Sequence, residues 1–181
     1  MTFVSTALSE TDLDTQRFKF LSKLIQKGKM TVGENMYIIG QQLGFNRELV
    51  DDIVRYYHRH EVIVFPVLGP YIKLVNDWYN VLDERDRTLL KEGFILTLDE
   101  MTRSNLRFEV SPREVFNTLG YHAFSESLIP AIVESLVTEN LIGKENDNII
   151  ITNQGRNRCT EIRERNRILH EQTLRRLGAT E

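Results

Sequence analysis

The residues of this sequence whose types and spacing invite chemistry are cations set in rows. Arg47, Arg55 and Arg59 lie in one stretch, 46–60, and Lys19, Lys23 and Lys27 recur every fourth residue upstream of it. Residues four apart share a helix face, so each set lines up positive charge. Guanidinium forks suit phosphate oxygens and guanine edges, and a lysine row can follow a polyanion backbone. Lys73, beside Tyr71 in a β-branched stretch, adds one more cation. Acids interrupt the pattern. Projected as a helix with Leu49, Ile53 and Tyr57 inward, 46–60 turns Glu48, Asp51 and Asp52 outward together with Arg55 and Arg59, with Arg47 near the edge. Asp51 and Asp52 repel phosphate and can only accept from a cytosine amine. The alternative is an ordinary solvated face, with Asp51 or Asp52 paired to Arg55.

Other chemistries find less support. His58 and His60 precede Glu61, but positions two apart on a helix diverge by about 200°, so the two imidazoles do not share one ion; no metal is expected. Cys159 is the only cysteine, which excludes an internal disulfide and a paired-cysteine zinc site. The sequence contains no glycine-rich phosphate loop, no nucleophile elbow and no carboxylate pair placed as acid and base. Neither an enzyme nor a cofactor is expected.

The elements that must position the cations follow from pattern. The chain has 181 residues, 41% of them hydrophobic, and a formal charge of −3, enough apolar material for one medium core or two small ones. Residues 1–14 form an acidic leader carrying Glu10, Asp12 and Asp14, without the basic and apolar regions of a signal peptide, so a cytoplasmic protein is expected. The longest apolar stretch, 62–72, is broken by Pro66, Gly69 and Pro70 and is too short to span a membrane. Phe18, Leu21, Leu24 and Ile25 give 16–28 the spacing of an amphipathic helix. A second helix, 34–43, stops at Gly44, and Asn46 is suited to cap a third over 47–60. Stretches 61–67 and 71–75 then read as a hairpin turning at Leu68-Gly69-Pro70.

The second half repeats this order. Leu43-Gly44-Phe45 returns as Leu119-Gly120-Tyr121, and Ile53-Val54 as Ile132-Val133; an insertion of about three residues near His122 to Phe124 reconciles the two offsets. Here 86–103 reads as a helix, 108–110 as a short strand, and Ser111-Pro112-Arg113-Glu114 as a capping box with proline at the first helical position. A third helix over 127–140, a hairpin across Glu145-Asn146-Asp147-Asn148 and a terminal helix over 156–177 complete it.

Leu141-Ile142-Gly143 leading into Ile149-Ile150-Ile151-Thr152-Asn153-Gln154-Gly155-Arg156 resembles the helix-to-wing segment of winged helix regulators, and the whole chain resembles two winged helix-turn-helix domains in tandem. The resemblance covers 16–75 and 86–155. It implies a mostly helical α+β fold: acidic leader 1–14, basic domain 15–76, aromatic linker 77–85, acidic domain 86–155 and basic C-terminal helix 156–181. It also implies a DNA-binding transcriptional regulator in which the first domain meets duplex DNA through Arg47, Arg55, Arg59, Lys19, Lys23, Lys27 and Lys73. The same fold serves as a protein-interaction module without base readout, which is the alternative function.

Charge separates the halves: residues 15–76 carry a net +4, 77–154 a net −7 and 155–181 a net +3. No basic residue lies between Ser125 and Asn140, where Glu126, Glu134 and Glu139 sit, so the second third-helix suits a protein partner better than DNA. On the terminal helix Ile162, Leu169 and Leu177, flanked by Ile168 and Leu174, form a narrow apolar stripe expected to pair across a homodimer, with its arginines outside. Trp78 and Tyr79 are expected to glue the two domains together.

Overall fold

The computed structural model describes residues 10–28, 32–104 and 109–176. These are mostly helical, with two small antiparallel sheets. No helix among them is long and apolar enough to cross a membrane.

Helix α1 (Glu10–Lys27) begins inside the expected leader. Asp12 and Asp14 of the expected leader lie on this helix and are half-buried. Asp14 accepts from Arg17 at 2.9 Å and pairs with Arg85. The buried face is Phe20, Leu21, Leu24 and Ile25; Phe18 is only half-buried, because a two-residue step carries it well away from Phe20.

Strand β1 (Glu34–Asn35) leads directly into α2 (Met36–Gln42), whose first turn is capped by Asn35 Oδ1 accepting the Tyr37 N–H at 3.0 Å. After a turn at Gly44, with φ +72°, comes α3 (Arg47–Arg59). Its start is fixed by Asn46 Oδ1, which accepts the Leu49 N–H at 2.8 Å, and it buries Val50, Ile53, Val54 and Tyr57 while Leu49 stays half-exposed. Strands β2 (Ile63–Val64) and β3 (Tyr71–Leu74) are shorter than 61–67 and 71–75. They complete a sheet of order β1-β3-β2, with Glu34 opposite Ile72 and Ile63 opposite Leu74. A two-residue strand such as β1 is too short to display alternation, and it is absent from the pattern reading.

Then follow α4 (Trp78–Val81) and α5 (Glu84–Ser104), a bridge at Val110, and α6 (Pro112–Thr118). The capping box at Ser111 is present: the Glu114 carboxylate accepts the Ser111 N–H at 3.1 Å. A single 3₁₀ turn occupies His122–Phe124, at the three-residue insertion, before α7 (Ser125–Thr138), β4 (Ile142–Glu145), β5 (Asn148–Ile151) and α8 (Asn153–Arg176). Val110 exchanges backbone hydrogen bonds with Ile149 at 2.9 and 3.1 Å, so its position relative to β5 repeats that of β1 relative to β3. Gly155 must be glycine: a Cβ there would lie 2.0 Å from the Leu141 carbonyl oxygen.

The chain divides into two compact units, one running through Arg87 and including Gly120–Phe124, the other formed by 88–119 and the chain after Phe124. Unit 1 therefore recruits five residues from far along the sequence. Trp78, buried, meets the Phe124 ring edge-on at 5.6 Å, and Ser22 and Tyr121 share a hydroxyl hydrogen bond of 2.6 Å. Trp78, expected to join the domains, is part of the core of unit 1.

Candidate nucleic-acid interface

In unit 1 the three arginines of α3 stay exposed, each in a different setting. Arg47, at the first helical position, lies with its guanidinium 4.4 Å from the centre of the Tyr37 ring, and the hydrogen bond to Tyr37 raises its pKa further above the ordinary arginine value. Tyr37 also donates from its hydroxyl to Asp51 at 2.8 Å. One α2 side chain therefore orients a cation and withdraws an anion on the adjoining helix. Asp51, read as an outward group or a partner of Arg55, is partly buried and held by Tyr37; Arg55 pairs instead with Asp52 at 2.8 Å, in the open. Exposed pairs of this kind contribute little to stability. Arg59 sits exposed in the last turn.

The back of α3 is pinned by polar bonds. Tyr56 donates to Asp83, Tyr57 donates to Asp86 at 2.9 Å, and the Arg17 guanidinium lies 4.0 Å from the Tyr56 ring centre. Burial first, and the Asp83 charge second, push the Asp86 carboxyl up to about 6. The histidines serve locally: a ring nitrogen of His60 lies 2.8 Å from the Tyr56 carbonyl oxygen, and one of His58 lies 3.3 Å from that of Ile63.

The lysine row is uneven. Lys19 is exposed, Lys23 is half-buried, and Lys27 faces Glu34 at 3.5 Å. Lys73 is half-buried on β3, opposite Val64. The hairpin connection is apolar: Phe65, Val67 and Tyr71 are substantially exposed and Leu68 fully so.

In unit 2, α7 buries Leu128, Ile132, Val133 and Leu136 and turns Glu126 and Glu134 outward, with Glu139 exposed just past its end. Lys91 donates to Glu139 at 2.8 Å, and Arg113 lies 4.0 Å from Glu126. The terminal helix departs from expectation. Ile162 is 1% exposed, so it belongs to the core of unit 2 and not to a free stripe; Leu169 is 40% exposed, with Ile168 alongside at 41%. Leu177 and the Leu174 side chain lie outside the described residues. Nor are the arginines of α8 all outward. Arg165 binds Glu92 through two nitrogens, at 3.0 and 2.5 Å, Arg158 joins it at 3.2 Å, and Arg156 and Arg163 bind Asp99 at 3.1 and 2.8 Å. These pairs fasten α8 to α5, around the buried Cys159, whose thiol burial pushes up to about 11.

No family model, curated protein or solved structure matches this chain.

Proposed function

We propose that this chain is a DNA-binding transcriptional regulator built from two winged helix domains, with unit 1 meeting the duplex. The observation that carries this reading is the exposed face of α3, where Arg47, Arg55 and Arg59 stand out while Tyr37 draws Asp51 aside. The order helix, strand, helix, turn, helix, hairpin supports α3 as the element that enters a major groove. Lys19 and Lys23 extend the cationic surface from α1. Exposed Ile168 and Leu169 on α8 support a contact between two copies, which would present two α3 helices to a two-fold site.

Fluorescence anisotropy of the full chain against a mixed-sequence duplex, at about 50 and about 200 mM salt, tests this. Backbone contacts release counterions, so the affinity is expected to fall by orders of magnitude over that range. No binding at the lower salt overturns the reading.

The second reading is a protein-interaction module. It is favoured by the apolar hairpin tip, Phe65, Val67 and Leu68, which offers DNA no charge, and by the glutamates of α7. Copurification of a partner with a chain that has no duplex affinity distinguishes it.

A further inference from the structure

Where α5 of the acidic segment meets the basic helix α8, unit 2 gathers positive charge. Asp99, fully buried on α5, is contacted by three guanidiniums: Arg103 through Nε at 3.1 Å, Arg156 through Nη1 at 3.1 Å and Arg163 through Nη1 at 2.8 Å. Although burial opposes ionisation, the hydrogen bonds from Arg163 and Arg103 hold this carboxyl below its ordinary range, so it is an anion at neutral pH. One negative charge thus faces three positive ones. Each arginine commits a single nitrogen to Asp99, whereas a guanidinium has five N–H donors. Their side chains are between 37% and 55% exposed, so part of each stays accessible to solvent. The neighbouring cluster differs: Glu92 is gripped by Arg165 in a two-nitrogen fork, and Arg158 divides itself between Glu92 and Glu161. Around Glu92 the guanidiniums are spent on structure; around Asp99, among the described residues, three of them are gathered on one carboxylate.

We infer that Arg103, Arg156 and Arg163, held together by Asp99, form a phosphate-binding patch through which unit 2 contacts the DNA backbone. This rests on the DNA-binding reading of unit 1 and gives unit 2 a role that its third helix cannot supply. Asp99 acts as a positioning residue: it supports three like charges at close quarters, and a backbone phosphate supplies the second anion that the cluster lacks. Contacts of this type carry no sequence information, so the patch adds affinity and register while base discrimination stays with α3.

The test is the salt dependence of duplex binding by the full chain carrying Arg103→Gln and Arg163→Gln together. Arg156 remains on Asp99 in this variant, so the carboxylate is not left alone. Two lost phosphate contacts predict a plot of log affinity against log salt that is shallower by about 1 to 2, and binding at least about tenfold weaker near 100 mM salt. A purely structural role for these arginines would leave that slope unchanged. If the folded double variant keeps the wild-type slope and affinity, the patch is overturned and the reading of unit 1 stands. If the wild-type chain binds no duplex, both fall. Should circular dichroism find the double variant unfolded, the single Arg103→Gln variant decides by the same slope, with a decrease of about 1 expected.

Discussion

Helices α3 and α7 each stand before an antiparallel hairpin, and they carry different surfaces. Two residues past the end of each stands a residue with positive φ, Glu61 at +58° and Asn140 at +56°, and in each the next N–H returns to a helix carbonyl, Val62 to Tyr57 and Leu141 to Leu136, both at 2.9 Å. What differs is what each helix is fastened by. Tyr56 and Tyr57 of α3 reach carboxylates, whereas α7 is held through Leu128, Ile132, Val133 and Leu136. Outward, α3 shows Arg47, Arg55 and Arg59 among Glu48 and Asp52, whereas α7 shows Glu126 and Glu134 and no cation. A frame of turns and apolar contacts therefore leaves the solvent face free to diverge, and in unit 2 the positive charge sits on α5 and α8 instead.

Breaking the shared frame should cost the most. Ile53→Ala and Ile132→Ala remove equivalent buried side chains, and each is expected to lower stability by about 2–5 kcal/mol in denaturant titrations; a small loss at one of them alone would show that the frames are not equivalent. Next comes the surface difference. Arg55→Ala with Arg59→Ala should weaken duplex binding by roughly 2–4 kcal/mol and leave thermal stability nearly unchanged, whereas Glu134→Ala on α7 should alter neither by more than about 0.5 kcal/mol.

The polar fastening of α3 can be read through pH. A carboxyl raised to about 6 in the folded state, against roughly 4 unfolded, binds more protons folded than unfolded between those values. Ionised Asp86 therefore costs stability above pH 6, and the cost fades as the pH falls through 6 and is gone below about 4. Relative to the wild type, Asp86→Asn should be more stable at pH 8 than at pH 4 by on the order of 2 kcal/mol, measured by urea titration at both values. An equal difference at the two pH values would remove Asp86 from this account. The smallest effect concerns the start of α3: Asn46→Ala should cost about 1 kcal/mol in thermal unfolding through loss of the bond to the Leu49 N–H.

The sequence makes local devices visible. Asn46, Gly44, Gly120 and the Ser111–Glu114 box act within a few residues of themselves, so their types alone announce helix ends, and the insertion at 122–124 appears as a break in the repeat. Of the candidate interface, the arginines of α3 are legible because helical spacing determines which way they point. Tyr37 is not, because its effect on Arg47 and Asp51 depends on how α2 crosses α3. The α5 to α8 pairing left a trace that periodicity searches for apolar residues overlook. Glu92 and Asp99 are seven apart, as are Arg156 and Arg163, and Arg158 and Arg165. A seven-residue repeat of opposite charge on two helices marks faces that meet. Without it, α8 reads as a dimer helix with its arginines outside and Ile162 as part of a free apolar stripe.

The five residues Gly120–Phe124, set into unit 1 from late in the chain, govern the order in which the protein can be completed during synthesis. Until residue 124 has cleared the ribosome, the Trp78 ring lacks the Phe124 ring and Ser22 lacks the Tyr121 hydroxyl. The amino-terminal unit must then wait, unfinished, while 88–119 is being made.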